Sequence, residues 1–403
     1  MGKSGVADGL EGHAATRPAR GTRPANRRQL IAAASADLFY RNGYANVSMS
    51  NIADAVSMGP SALYRHFRNK ESLLATVVGD AVVELNSALV AALADPAGVA
   101  GSTLATVSLR NRAAGVLWQR EGRYLPAEIR DELRSQTRTI GVTIAALVRR
   151  QYPALDETQA DLLSWCALAI AQSISYHRLQ LPAAEFAATL TALVDNALAV
   201  PMPLLDPVPV SVESRPHLRA STRRETILTE ATRLFGEQGF SNVSMEDIGH
   251  AVGASGPSLY NHFDGKSEIL IAIMLRGAEW LQMDMNRSLA RAADPRDALL
   301  RLLEDYWTFV CDNPYLTQLL VSELLELPQD QSERVRVTRR AYATEWANLL
   351  TQLHPEWDSV RARMRIHAVH TMMNHISLTP HLRKITSVDT ALTRIGAALL
   401  ELG

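Results

Sequence analysis

The sequence predicts an all-α chain built from two copies of one helical unit, and three observations carry that reading. Leu63, Tyr64, His66, Phe67 and Lys70 spell L-Y-x-H-F-x-x-K, and Leu259, Tyr260, His262, Phe263 and Lys266 repeat it at an offset of 259 − 63 = 196 residues. The offset holds upstream without a gap, pairing Phe39 with Phe235, Gly43 with Gly239, Ile52 with Ile248, and Asn46-Val47-Ser48-Met49 with Asn242-Val243-Ser244-Met245. Ala, Leu and Val dominate, aromatics make up 6% of the 403 residues, and apolar positions recur at helical spacing. A period this long marks a duplicated domain, because solenoid repeats run at roughly 20–50 residues.

The elements of the first copy follow in order. Leu30, Ile31, Ala34, Leu38 and Phe39 form the buried stripe of a first helix that Arg27 and Arg28 precede and Gly43 closes. Ser48 stands as N-cap of a second helix whose Ile52, Ala55 and Val56 face inward. The chain breaks at Ser57-Met58-Gly59. A short third helix then runs from Pro60 to about Phe67, with Leu63 and Phe67 turned to the core. The second copy repeats the plan with Ser244 as cap, a break at Gly253-Ala254, Ser255 as a further cap, and a helix from Gly256 to Phe263.

Two short helices joined by a tight turn behind a supporting helix describe a helix-turn-helix, whose second helix enters the DNA major groove with its N-terminal residues leading. The groove-facing set is Pro60, Ser61, Ala62, Tyr64, Arg65 and His66 in the first copy, and Gly256, Pro257, Ser258, Tyr260, Asn261 and His262 in the second. Lys70 and Lys266 follow the helix where an ammonium meets a phosphate, and Arg23, Arg27, Arg28, Arg223 and Arg224 supply further cations. The helix-capping Ser48 and Ser244 lie on the same side. A half-buried tyrosine–histidine face on a protein-docking unit is the alternative for one copy; two full copies, each with a capped support helix, weigh against it.

These motifs resemble the TetR family of transcriptional repressors: the capped second helix with Ile-x-x-Ala, the turn, and L-Y-x-H-F-x-x-K-x-x-L ending at Leu74 and Leu270. The resemblance covers about residues 25–75 and 221–271 and extends to tandem TetR-type regulators of actinobacteria; Val116 to Leu125 resembles a stretch in a repressor of a lipid-uptake operon. It implies two TetR-like repeats, each an N-terminal helix-turn-helix DNA-binding domain plus a helical ligand-binding and dimerisation domain. It also implies a four-helix dimer interface from the last two helices of each, formed here within one chain as a pseudo-dimer or between two chains as a homodimer. The domains expected are a disordered basic tail (1–24), DNA-binding domain 1 (25–75), ligand-binding domain 1 (76–200), a proline-rich linker (201–220), DNA-binding domain 2 (221–271) and ligand-binding domain 2 (272–403).

Helical periodicity places further helices near 71–94, 102–119, 126–151, 157–179 and 184–200, and near 267–292, 295–312, 315–326, 328–353, 356–377 and 386–402. A cavity among them suits an apolar or amphipathic inducer. Its candidate lining is Leu117, Trp118, Arg120, Tyr124, Trp165 and Cys166 in repeat one, and Trp307, Phe309, Met372 and Met373 in repeat two, where the wall reads as less charged. Each of these residues also reads as plain core. His367, His370 and His375 lack a carboxylate or cysteine at metal-ligand spacing and read as lining or surface histidines.

A net charge of −1 hides a local asymmetry. Arg17 to Lys70 holds nine basic residues (Arg17, Arg20, Arg23, Arg27, Arg28, Arg41, Arg65, Arg68, Lys70) against two acidic (Asp37, Asp54). Arg215 to Lys266 holds six (Arg215, Arg219, Arg223, Arg224, Arg233, Lys266) against six (Glu225, Glu230, Glu237, Glu246, Asp247, Asp264). The first copy is the better electrostatic anchor for phosphates. Cys166 and Cys311, the only cysteines, fall at non-equivalent positions and are expected to be reduced, as in a cytoplasm. No run of about 18 uncharged apolar residues occurs, and the N-terminus lacks a signal-like apolar region. No nucleophile elbow, phosphate-binding loop or dinucleotide fingerprint appears, so neither an enzyme nor a cofactor is expected. Double-stranded operator DNA and a small inducer are the expected partners. A ligand-independent architectural DNA binder and a helical adaptor that has lost DNA binding are the rivals.

Overall fold

The computed structural model describes residues 27–206, 222–254, 256–322, 327 and 329–403, and no strand occurs among them. The first reader comprises α1 (Arg27–Asn42), α2 (Met49–Ala55) and α3 (Pro60–Leu63). Behind it stand α4 (Lys70–Ala94), α5 (Ala100–Arg110), α6 (Ala114–Glu121), a 3-10 turn at Gly122–Tyr124, α7 (Ala127–Gln151), α8 (Glu157–Gln172), a second 3-10 turn at Ser173–Tyr176, and α9 (Ala183–Leu198). The second reader is α10 (Arg223–Gln238), α11 (Met245–Ala251) and α12 (Gly256–Leu259). It is followed by α13 (Lys266–Arg291), α14 (Pro295–Asp312), α15 (Pro314–Ser322), α16 (Gln329–Leu353), α17 (Ser359–Leu378) and α18 (Val388–Leu399).

The caps read from the sequence explain where the readers' helices begin. Ser48 accepts from the Asn51 amide, and Asn51 Oδ1 accepts from the Ser48 amide at 2.9 Å; Ser244 and Asp247 do the same in the second copy. Gly43 and Gly239 close α1 and α10 at φ 81° and 83°, a backbone that a Cβ disfavours.

Several elements differ from expectation. The recognition helices end early, at Leu63 and Leu259, because the chain tightens: the amides of His66 and His262 donate to the Leu63 and Leu259 carbonyls three residues back, each at 2.9 Å. The single helix expected over 102–119 breaks after Arg110. Asn111 turns its amide onto Glu84 (2.8 Å) and the Val107 carbonyl (3.2 Å), a side-chain competition that ends a helix. The helix expected over 157–179 stops at Gln172 and passes into the 3-10 turn. The tail, most of the linker, Ser255 and residues 323–326 lie outside the described residues, as do Arg23, Arg215 and Arg219.

The two halves join through α8 and α9 of the first and α17 and α18 of the second, a four-helix packing inside one chain. Met364 of α17 is buried in a cluster with Ile174, Phe186 and Leu190 of the first half. Arg361 pairs with Glu185, and the Thr386 amide donates to the Asp206 carbonyl at 2.9 Å. By length and composition α4 alone, among the described residues, is apolar enough to cross a membrane. Leu73, Leu74, Val78, Ala81, Leu85 and Leu89 of that helix are nevertheless buried against the protein, and Glu84 holds Asn111.

Candidate nucleic-acid interface and helical cavities

The two readers present the same tip. Leu63 and Leu259 are fully buried, Phe67 and Phe263 nearly so, while Tyr64 and Tyr260 are each 54% exposed. That split within one short helix turns the tyrosines and their neighbours outward. Pro60, Ser61 and Arg65 are exposed on the first tip, with Ala62 and His66 half-buried; Asn261 and His262 are exposed on the second, with Ser258 half-buried. The backbone of α12 carries Gly256 and Pro257 at the start of the same turn.

The flanking cations are used differently from the sequence-based expectation. Lys70 Nζ donates to the Tyr44 carbonyl at 2.7 Å and sits 4.1 Å above the Tyr44 ring. Lys266 Nζ donates to the Phe240 and Val243 carbonyls, each at 2.9 Å, and sits 4.6 Å above the Phe240 ring. Each ammonium pins the loop between the first two helices of its reader, so the phosphate contact expected of it gives way to a structural staple. Arg28 and Arg224 lie over Phe67 and Phe263 at 4.4 and 4.5 Å, and Arg28 also donates to the His66 carbonyl at 3.0 Å. Arg223 donates to the Val252 carbonyl at 2.8 Å, holding the turn of the second reader. Ser48 and Ser244 spend their hydroxyls on the caps. The signal for the lysine staples was present in the sequence: an aromatic residue stands 26 positions before each lysine.

A joint connects the first reader to the helices behind it. Arg120 and Glu121 of α6 form a buried ion pair at 2.5 Å; Arg120 also donates to the Phe39 carbonyl (2.8 Å), and Glu121 accepts from the Tyr44 amide (3.2 Å). Burial raises the Glu121 carboxyl above its ordinary value, with Arg120 opposing. Tyr124 stacks on Tyr44 at 4.8 Å and reaches Ser241 of the second reader at 3.5 Å. Tyr124 therefore bridges equivalent loops of the two readers and borders neither of the two cavities behind them.

Two cavities open behind the readers. A smaller one of about 240 Å³ in the first half is bordered by Trp118 and Trp165 with Val82, Leu85, Ile140 and Leu168, and has no Arg, Lys, Asp or Glu on its wall. A larger cleft of about 1380 Å³ lies in the second half and opens onto the first; Phe309 and Arg120 border it, together with Tyr306, Tyr342 and an arginine-rich wall. Gln119, Ser175 and His375 belong to both walls. This corrects the expected assignment: the charged wall is the second half's, and the first half's is apolar. Leu117, Cys166, Met372 and Met373 are fully buried core, and Trp307 is buried among the same helices, because their faces point into helix packing. Burial raises the Cys166 thiol above its ordinary range and lifts that of Cys311 to about 11, so neither is a reactive thiolate. His367, His370 and His375 form no metal-binding group with the other described residues.

Comparison with known proteins bears on the readers. The family model for bacterial regulatory proteins of the tetR family matches residues 31–77 and 227–273, the two spans offset by 227 − 31 = 196. The chain carries two TetR-type regulatory domains in tandem. Its two TetR-type domains are the same ones delimited by the motif, the caps and the staples. The HTH-type transcriptional activator FasR of Mycolicibacterium smegmatis is 30% identical over 88 residues, 22% of this chain and 40% of that protein. An HTH-type transcriptional regulator of Mycobacterium tuberculosis is 26% identical over 145 residues, 36% of this chain and 71% of the relative. The chain thus spans about two-fifths of the length of FasR. Among solved structures, a TetR-family regulator from Bordetella parapertussis aligns with TM-score 0.41 at 21% identity, covering 45% of this chain and 96% of that one.

Proposed function

We propose that this tandem TetR-family chain is a ligand-responsive transcriptional repressor that binds an asymmetric operator through two unlike recognition helices. The observation that carries the reading is one reader built twice on equivalent staples, with different groove-facing residues: Arg65 on the first tip stands where Asn261 stands on the second, and Ala62 where Ser258 stands. Arginine pairs bidentately with guanine and asparagine with adenine, so two tips held by one chain favour two unlike half-sites. The groove-reading set is Pro60, Ser61, Ala62, Tyr64, Arg65 and His66 with Gly256, Pro257, Ser258, Tyr260, Asn261 and His262. The intrachain four-helix packing supports a monomeric pseudo-dimer as the binding unit. Release follows when a small amphipathic molecule fills a cavity and favours a reader spacing that no longer matches successive major grooves, roughly 34 Å apart. Trp118 and Trp165 on the apolar wall and Phe309 in the cleft support such a ligand. The resemblance of Val116 to Leu125 to a lipid-operon regulator points to genes of lipid uptake or metabolism, read in the cytoplasm.

Footprinting on DNA flanking the chain's own gene tests the operator. The expected footprint holds two dissimilar half-sites protected by one chain. A clean inverted repeat protected at one chain per site would sink the asymmetric reading, and no salt-dependent binding to any duplex would leave the adaptor alternative standing. Addition of laurate to the preformed complex tests release, expected as loss of the footprint.

A further inference from the structure

We propose that the cleft between the two halves is a binding site for the phosphate-type head of an amphiphile, held by arginines from both halves. The proposal rests on the ligand-responsive reading above and adds the head-group class, the site and the reader it reaches.

Seven arginines border the cleft and a single carboxylate, Glu333, faces them among its described lining. Three are already paired: Arg41 with Asp37 at 2.8 Å, Arg120 with Glu121, and Arg336 with Glu333 at 3.9 Å. Arg178, Arg339, Arg340 and Arg363 have no carboxylate within ion-pair distance among the described residues. Arg363 reaches only the Thr344 hydroxyl at 3.3 Å, and Arg178 lies 5.9 Å from the Tyr40 ring. Helical spacing aligns them: positions 336, 339, 340 and 343 of α16 and 363, 367, 370 and 374 of α17 share the facing surfaces. Arg178 meets them from the first half, next to His177, whose ring lies 4.7 Å from that of His367.

Like charges gathered on one cleft repel one another, and an anion that enters relieves the repulsion. Arg339 and Arg340 stand exposed to solvent in the cleft, one helical step apart, with no carboxylate beside them among the described residues. A second, independent sign of an absent partner lies deeper. His370 is sandwiched against Tyr306 at 4.3 Å and Trp346 at 4.9 Å, and its buried Nε2 has no hydrogen-bond partner. One carboxylate neutralises one of these four guanidiniums, whereas a phosphate monoester carries about −1.5 to −2 charges and takes arginine forks bidentately. Leu281, Phe309, Val310 and Leu320 on the same wall offer the apolar complement for a chain.

The lining also includes Tyr40, Arg41, Asn42 and Asn46 of the first reader and, among the described residues, none of the second. An occupant therefore touches one reader directly, beside the Arg120–Glu121 joint, and acts on the second only through α13 to α17.

Isothermal titration of the full chain, without DNA, with dodecyl phosphate, dodecanoate, dodecanol and inorganic pyrophosphate tests the site. Dodecyl phosphate is expected to bind at least tenfold tighter than dodecanoate, and Arg339→Gln with Arg340→Gln to weaken it at least tenfold while dodecanol binding stays as it was. Arg178→Gln, on an exposed loop, is expected to weaken dodecyl phosphate severalfold and provides the test if the double variant fails to fold. Pyrophosphate binding as tight as dodecyl phosphate would point to a free phosphate compound as occupant and overturn the amphiphile. Equal affinity for phosphate and carboxylate heads, or unchanged affinity in both variants, overturns the site. Tight, arginine-dependent binding that leaves operator affinity unchanged upholds the site and fails the induction reading instead.

Discussion

The two readers share a skeleton and differ at their tips. Lys70 and Lys266 each hold the loop before the second helix, Arg28 and Arg224 each lie over the reader's phenylalanine, and Ser48 and Ser244 each cap the second helix. The groove-side charge does not match. On the first reader Arg65 and Arg68 are exposed and free of carboxylate partners among the described residues; their counterparts on the second are Asn261 and Asp264. Arg233 of the second reader is held between Glu230 at 3.0 Å and Glu237 at 2.7 Å. Duplication thus kept the interactions that build the helix-turn-helix while the exposed tips diverged. The first tip is cationic and the second carries little charge.

The largest expected effect lies outside both readers, at the joint between the halves. Desolvation lowers His177 to about 2, His370 to about 3, and His367 and His375 to about 4. These rings are neutral in the folded chain and ordinary, near 6.5, in the unfolded one. Above pH 6.5 they bind no extra proton in either state. As pH falls from about 6.5 towards 4 the unfolded chain gains protons that the folded one refuses, so stability falls, by up to about 2 kcal/mol per histidine at pH 5. Urea midpoints at pH 7.5 and 5 measure this; equal midpoints would show the four histidines to be solvated. The readers' local folding is expected to survive acid better than the joint.

Next in size, Leu63→Ala and Leu259→Ala remove equally buried side chains and are expected to destabilise their readers alike, by about 2–5 kcal/mol. Their effects on DNA should diverge, with the first abolishing binding and the second leaving a weaker, salt-sensitive complex. Matched losses of operator affinity would remove the anchor distinction.

The readers were legible in the sequence because their signals are local: caps, a turn glycine, and a leucine–phenylalanine pair at i, i+4. The turned-in lysines were not. A lysine after a recognition helix reads as a phosphate contact, and only the folded loop brings Tyr44 and Phe240 beneath it. The cavities were least legible. Nothing local in the sequence marks Arg336, Arg339 and Arg340, which border one cleft only once α16 packs against α17. Arg120 read as a free ligand group until Glu121 and the Phe39 carbonyl claimed it.

Arg65→Ala and Asn261→Ala sharpen the comparison at the tips. Each is expected to cost about 1–3 kcal/mol of operator affinity and to relax specificity in its own half-site only. Arg68→Ala should weaken binding to all sequences and reduce the salt slope by about one, while Asp264→Ala should strengthen the weak side. Binding to operator variants across a salt series reads all four; loss of specificity in both half-sites from either tip substitution would show that the tips are not independent.

The smallest expected difference lies in the turn. Ser57 takes φ 54° in the first reader, and its counterpart Gly253 takes φ 64° in the second. A side chain in this left-handed region costs about 1–2 kcal/mol, partly offset by the entropy a glycine loses on folding. A Cβ at Gly253 meets nothing within 4 Å, so Gly253→Ser isolates the backbone cost and should destabilise the second reader by about 0.5–1 kcal/mol. Gly239→Ala, at φ 83°, adds a contact with the tip of the flexible Arg123 side chain 2.9 Å away and should cost slightly more, because Arg123 must move from beside Tyr124, the bridge to the first reader. Hydrogen exchange of α11 and α12 measures both. Equal protection in the two variants would mean that the bridge carries no energy and that the readers are tied only through the four-helix joint behind them.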